Sequence, residues 1–131
     1  MFMQQVPKSA LIVSRHRLIA EMLTEYLVTR SDIRAEWLPD LDAISQPQRY
    51  GVVLLDLDPM PTANFPSIAR AKSLVMDSPV AVLTDAQDTE LFLRLVAAGA
   101  SGILLKQRPL KSLVAVLLLL IAGEHYVPVE T

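Results

Sequence analysis

Short apolar runs alternate, along the whole chain, with longer segments of helical periodicity. The short runs are rich in Val, Ile and Leu, as expected of strands that are buried on both faces. The segments between them repeat apolar residues at helical spacing. This alternation predicts repeated βα units around a parallel sheet. The predicted strands are Ala10–Val13, Ile33–Leu38, Val52–Leu55, Val80–Leu83 and Gly102–Leu105.

Helices are predicted between the strands. The first helix follows the first strand and would bury one apolar face. A short helical stretch is predicted over Leu41–Ile44. The next full helix, from Phe65 to Met76, would also bury one apolar face. The apolar residues assigned to these two faces are Leu18, Ile19, Met22, Leu23, Tyr26 and Leu27, then Phe65, Ile68, Ala69 and Val75.

Capping residues place the two later helices. Asp88 is a suitable N-cap for a helix over Leu91–Ala98, and Gly99 suits the position after its end. Pro109 suits the first turn of a last helix that would end near Ala122.

Composition limits the class of protein. A chain of 131 residues that is 52% hydrophobic is expected to form a single domain over residues 1–131 without disulfides, since it has no cysteine. A net charge of -2 argues against direct nucleic acid contact by this domain. The longest apolar run, Leu113–Ala122, is shorter than the roughly 20 residues that span a bilayer, and no signal peptide is visible, so we expect a cytoplasmic protein without membrane contact. The two histidines, His16 and His125, lack zinc-ligand spacing.

Three polar residues follow the third, fourth and fifth predicted strands. They are Asp56, Thr84 and Lys106. Ligands of open parallel sheets bind outside the carboxyl ends of the strands, so these side chains are expected to share one site. A carboxylate can accept a phosphoryl group, a hydroxyl can bind a phosphoryl oxygen, and an ammonium can offset its charge.

Longer motifs surround these residues, and together they cover nearly the whole chain. The motifs are Leu11–Leu18, Val52–Leu57, Val82–Thr84, Ala98–Lys106 and Leu120–Pro128. In these motifs the chain resembles the receiver domain of bacterial response regulators. The last motif resembles the subgroup whose receivers precede a LuxR/NarL-type helix-turn-helix domain.

The resemblance implies a doubly wound α/β fold, with a five-stranded parallel sheet in the flavodoxin-like order 2-1-3-4-5 and helices on both faces. It implies that Asp56 is the phosphoacceptor, Thr84 the switch hydroxyl and Lys106 the phosphate-binding lysine. It also implies a histidine kinase or another signalling protein as partner, and DNA contact only through a C-terminal output domain outside this chain.

The chain departs from the family where two acids usually position Mg²⁺ beside the acceptor, because it has Ser14 and Arg15 there. Mg²⁺ needs oxygen ligands and carboxylates to offset its charge. We therefore expect no metal cofactor and weak or absent phosphorylation of Asp56. Asp58 could supply a carboxylate, or its side chain could point elsewhere.

Three further residues are candidate modifiers of the site. Arg15 could pair with Asp56 in place of a cation, or point to solvent. Asp85 follows the switch hydroxyl, where a small residue is usual; it could repel phosphate, pair with Arg15 or Lys106, or simply begin the next loop. Ile103 stands where many receivers carry a switching aromatic residue, and could instead be ordinary sheet packing.

The last helix is apolar on all sides, although a helix that covers a sheet needs only one apolar stripe. The surplus predicts a homodimer surface at Val116, Leu119 and Leu120, unless loops or a downstream domain cover it. The residues assigned to the inward face are Leu110, Leu113, Val114, Leu117 and Ile121.

Together these features predict an atypical receiver that is not an enzyme and that regulates transcription through dimerisation. The alternative is a small-anion or metabolite sensor or enzyme on the same scaffold, using Asp56, Thr84 and Lys106. The sequence has no glycine-rich phosphate loop and no nucleophile–base pair to support it.

Overall fold

The sheet has five parallel strands in the order β2-β1-β3-β4-β5. The computed structural model describes residues 8–58 and 65–128, apart from the side chain of Phe65. The strands are β1 (Ser9–Val13), β2 (Arg34–Leu38), β3 (Val52–Asp56), β4 (Val80–Thr84) and β5 (Gly102–Leu105). The predicted doubly wound, flavodoxin-like sheet is confirmed.

The helices alternate with the strands as the sequence predicts. A 3₁₀ turn over Leu41–Ala43 connects β2 to β3, and the carboxylate of Asp40 caps it by accepting from the Ala43 backbone N–H at 3.1 Å. The α-helices are α1 (Arg17–Arg30), α2 (Phe65–Leu74), α3 (Thr89–Ala97) and α4 (Leu110–Ile121).

The predicted cap of α3 is confirmed. The Asp88 carboxylate accepts from the backbone N–H groups of Glu90 and Leu91 at 3.0 and 3.4 Å. Gly99 follows the helix with a φ of 115°, a conformation that favours glycine.

Side chains alternate between the two faces of the sheet and form two buried clusters. One cluster joins residues such as Leu11 and Val82 to α2 and α3, and the other joins Ile12 and Leu54 to α1 and α4. The helices therefore cover both faces of the sheet.

The inward faces of α1 and α2 differ from the predicted ones. In α1, Leu18 and Met22 are exposed, and Ala20 is buried instead. In α2, Ala69 is exposed and Ala71 is buried, so the prediction for Ala69 is wrong. The prediction for the side chain of Phe65 lies outside the described residues.

The helix α4 buries a narrower stripe than its composition suggests, namely Leu113, Leu117, Leu120 and Ile121. Leu110, predicted to face inward, is exposed. Leu120 is fully buried, so its prediction as a dimer-surface residue is wrong. Its side chain packs over Gly102, where a Cβ atom would come within 2.9 Å of Leu120 Cδ2. Within the described ranges, no helix has the length and apolar character to cross a membrane.

Candidate functional site

The predicted site lies at the carboxyl edge of the sheet. The ends of β1, β3, β4 and β5 bring together Ser14, Asp56, Thr84 and Lys106, and Asp58 follows β3 closely. Parallel pairing aligns these ends: the Lys106 backbone N–H donates to the Thr84 carbonyl oxygen at 2.9 Å. The sequence prediction that the polar strand ends share one site is therefore confirmed in geometry.

The side chain of Asp56 is only 1% exposed, and both of its carboxylate oxygens are engaged. Oδ2 accepts from the Ser14 hydroxyl at 2.8 Å and lies 3.1 Å from His16 Nδ1. Oδ1 accepts from the Lys106 ammonium at 2.8 Å and from the Asp58 backbone N–H at 3.2 Å. An ionised carboxylate only accepts hydrogen bonds, so His16 donates in this contact. Four donors of the chain itself therefore surround the predicted phosphoacceptor.

These contacts determine the charge of the central pair. Burial raises the pKa of Asp56, but hydrogen bonds from Lys106, Ser14, His16 and the Asp58 backbone outweigh it and hold the pKa below its usual value. Burial lowers the pKa of Lys106, but its contacts with Asp56 and Asp58 outweigh burial and raise it. Both groups are therefore charged at neutral pH.

The side chain of Asp58 points into the site rather than away from it. It is only 8% exposed and lies 2.7 Å from the Lys106 ammonium. It also accepts from the Thr84 hydroxyl and from the Asp85 backbone N–H, each at 2.8 Å. Lys106 thus pairs with two carboxylates, Asp56 and Asp58.

His16 is a site residue that the sequence reasoning missed, because it was considered only as a zinc ligand. It lies two residues after Ser14 and is the N-cap residue of α1, yet its side chain caps no helix N–H group. The imidazole contacts Asp56 instead. The available signal was its position in the loop between β1 and α1, at the same edge as the other strand ends.

Arg15 and Asp85 take the simpler of the arrangements considered for them. Arg15 is exposed, and in the described part of the chain it makes no ion pair with Asp56. Its charge acts instead on Asp42, whose pKa is held below its usual value mainly by a hydrogen bond and ion pair with Arg70 and to a lesser extent by Arg15.

Asp85 is exposed and begins the loop after β4. Asp85 takes part in the site through its backbone rather than its carboxylate. Its N–H donates to Asp58, and its carbonyl oxygen accepts from the Gln107 side chain at 2.7 Å. Across residues 8–58 and 65–128 its carboxylate pairs with neither Arg15 nor Lys106.

Comparison with known proteins finds likeness in structure. The sequence matches no protein-family model and no curated protein. A LuxR family DNA-binding response regulator from Silicibacter pomeroyi is 24% identical with a TM-score of 0.76, covering 92% of this chain and 96% of that one. A response regulator from Thermotoga maritima is 20% identical with a TM-score of 0.76, covering 89% and 98%. The chemotaxis protein CheY4 of Vibrio cholerae is 25% identical with a TM-score of 0.69, covering 84% and 95%.

The chain has the fold of response regulator receiver domains. In this receiver fold, Asp56, Thr84 and Lys106 occupy the ends of β3, β4 and β5, as the resemblance in sequence implies. Ile103 is fully buried in the cluster with α2 and α3, so in this receiver fold it serves as sheet packing.

The site does not fit the Mg²⁺ ion that the acid pair of typical receivers positions. Mg²⁺ requires oxygen ligands in octahedral geometry. Both oxygens of Asp56 accept from donors of the chain. At the two positions where acids would stand, Ser14 donates to Asp56 and Arg15 is exposed. Among the residues that the structure describes, no group of three or more His, Cys, Asp or Glu side chains could hold a metal ion.

An apolar groove of about 260 Å³ lies between α1 and α4 of the receiver fold, and Lys106 is among the residues that line it. Ile19 and Met22 line it from α1, and Leu113 and Val116 from α4. Val116 is partly buried and Leu119 is 44% exposed. Of the three predicted dimer-surface residues, Leu119 is thus well exposed, Val116 is partly accessible and Leu120 is buried.

Proposed function

We propose that the chain is the atypical receiver module of a cytoplasmic, two-component-type response regulator in which Mg²⁺-dependent phosphorylation of Asp56 is weak or lost. It is not an enzyme, and it regulates transcription as a homodimer through an attached LuxR/NarL-type DNA-binding domain. The observation that carries this proposal is the engagement of both Asp56 oxygens by donors of the chain itself.

The physical reason is that phosphoryl transfer needs a nucleophile with an available lone pair and a cation that offsets the charge of the incoming group. Hydrogen bonds from four donors reduce the reactivity of the Asp56 oxygens. Without an acid pair to hold Mg²⁺, the largest electrostatic contribution to transfer is also lost. The positive charge of Lys106 is already shared between the carboxylates of Asp56 and Asp58.

Two observations support a DNA-binding output outside this segment. The motif Leu120–Pro128 resembles receivers that precede a helix-turn-helix domain. The similar structure from Silicibacter pomeroyi belongs to a LuxR family DNA-binding response regulator. A net charge of -2 argues against direct DNA contact by this domain itself.

Exposed apolar residues on α1 and α4 support dimerisation. On α1, Leu18 is 72% exposed and Met22 50% exposed, and on α4 Leu119 is 44% exposed; Met22 also lines the groove between the two helices. Exposed apolar side chains of this kind are typical of protein interfaces.

The alternative of a small-anion sensor or enzyme has less support. Such a protein would need Thr84 and Lys106 to be available to its ligand. Both already bind the carboxylate of Asp58.

The proposal is tested by incubating the protein with Mg²⁺ and acetyl phosphate and measuring the intact mass. We expect the unmodified mass to predominate under conditions that fully phosphorylate a conventional receiver carrying both acids. The variant Asp56→Asn is the negative control. Stoichiometric phosphorylation of the wild-type protein that disappears in Asp56→Asn would contradict the proposal.

A further inference from the structure

Asp58 fills a small oxyanion site formed by the ends of two neighbouring strands. The Thr84 hydroxyl donates to its Oδ1 at 2.8 Å, and the Asp85 backbone N–H donates to its Oδ2 at 2.8 Å. The Lys106 ammonium lies 2.7 Å from Oδ2. A hydroxyl, an amide and an ammonium that converge on one anion are the donor set of an oxyanion-binding site.

These contacts fix the Thr84 hydroxyl in one orientation. Thr84 is fully buried, and its Oγ1 accepts from the Ala86 backbone N–H at 3.0 Å while it donates to Asp58. The loop after β4 is held in the same way, since the Asp85 N–H binds Asp58 and the Asp85 carbonyl binds Gln107. The end of β4 is therefore tied to the loop after β3 and to the residues after β5.

We infer that Asp58 is a built-in anion that holds Thr84 and Lys106 in the arrangement a phosphoryl group on Asp56 would otherwise produce. The inference rests on the proposed function, in which Thr84 and Lys106 are the switch hydroxyl and the phosphate-binding lysine. The receiver then has a fixed signalling state that needs no phosphodonor.

The charges of the site agree with this role. Asp56 and Asp58 share the ammonium of Lys106 at 2.8 and 2.7 Å. An added phosphoryl group would bring further negative charge beside Asp58 and would compete with it for the same donors. Removing the Asp58 carboxylate should therefore vacate a site that accepts an external oxyanion.

The first test uses the wild-type protein and needs no substitution. A through-hydrogen-bond scalar coupling between the Asp85 amide nitrogen and the Asp58 side-chain carboxyl carbon is expected in the NMR spectrum. The coupling from the Leu57 N–H to the Leu83 carbonyl, a 3.3 Å contact of the same region, is the internal control. Detection of the control coupling without the Asp85–Asp58 coupling would overturn the inference.

The second test vacates the site with Asp58→Ala and adds inorganic phosphate. The Asp85 amide signal is expected to move on substitution and to return toward its wild-type position as phosphate saturates. Affinity for phosphate should exceed that of the wild type by about tenfold or more, a difference of roughly 1.4 kcal/mol. Lys106→Met added to Asp58→Ala should remove the phosphate response.

The matched control is Glu25→Gln, which removes an exposed carboxylate of α1 that makes no ion pair among the described residues and leaves the Asp85 amide, the reporter, unchanged. It should leave the site closed to phosphate, as in the wild type. Asp58→Asn, which keeps the volume of the side chain, replaces Asp58→Ala if that variant does not fold. It should also move the Asp85 amide signal. Equal phosphate binding by the wild type and Asp58→Ala, or an amide signal that neither Asp58 variant moves, would overturn the inference.

The outcomes separate this inference from the proposed function. Phosphorylation of wild-type Asp56 would contradict the proposed function, whereas the coupling and the phosphate titration report only on Asp58. If the oxyanion site proves closed but Asp56 is nevertheless phosphorylated, the contacts of Asp58 stand and its role in fixing the signalling state is overturned.

Discussion

At the scale of single residues, the site contains a buried carboxylate whose charge is balanced by donors of the chain. Asp56 is held ionised by Lys106, Ser14, His16 and a backbone N–H, which together outweigh its burial. Losing a partner of a buried charge is costly, because the remaining charge is left without compensation. Asp56 should therefore make stability depend on pH.

The sign of this dependence follows from the lowered pKa of Asp56. The unfolded chain binds a proton at a higher pH than the folded chain does, so stability from ionised Asp56 is fully present above about pH 4. It is lost as the pH falls through the lower folded pKa. The free energy of unfolding, measured with urea between neutral and acid pH, should fall more steeply below about pH 4 in the wild type than in Asp56→Asn. Identical pH profiles for the two proteins would refute this prediction, and Asp85→Asn controls for loss of an exposed carboxylate.

The site could be predicted from the sequence only in part. Asp56, Thr84 and Lys106 meet because parallel strands end at one edge, and that follows from the strand pattern. The contacts of Asp58 and His16 depend on side-chain rotamers and on donors brought from other elements. Sequence spacing fixes neither of these.

At the scale of elements, the strands follow closely from the sequence and the helix faces do not. The predicted third strand, Val52–Leu55, differs from β3 by the addition of Asp56. In α4, apolar residues surround the helix, so the pattern could not distinguish the buried Leu120 from the exposed Leu119. Leu120 is the buried one because its side chain packs over Gly102.

The exposed residues of α1 and α4 lead to a prediction about the proposed homodimer. Charged substitutions Met22→Asp and Leu119→Asp should weaken association, because each would place a carboxylate in an apolar interface. Sedimentation equilibrium across a wide concentration range should show the wild type as a dimer and these variants largely as monomers.

The control for the dimer prediction is Leu93→Asp, which changes a residue that is 62% exposed and lies on α3, a helix that contributes no residue to the groove between α1 and α4. It should dimerise like the wild type. A wild type that remains monomeric at every concentration, or a loss of dimer in Leu93→Asp equal to that in the α1 and α4 variants, would contradict the assignment of the surface.

At the scale of the whole molecule, the chain has the fold of receiver domains, and Ser14 and Arg15 stand at the edge of its sheet where the resemblance in sequence implies two acids. Similar solved structures align with most of the chain at TM-scores of 0.69 to 0.76. The sheet order could be predicted through the family resemblance, because the strand-end motifs are spaced along nearly the full sequence. The charge balance around Asp56 could not be predicted in this way, because it joins residues from four strand ends and from the loops after them.

We propose that donors of the chain take the place of a metal ion at Asp56, and a Mg²⁺ titration followed by amide NMR measures whether an ion binds there. The wild type should show no saturable shift of the Asp56, Asp58 and Asp85 amide signals at millimolar Mg²⁺, because Asp56 already has four donors. The double variant Ser14→Asp/Arg15→Asp, which supplies the two acids, should show one. A saturable shift in the wild type that is abolished by Asp56→Asn would contradict the account.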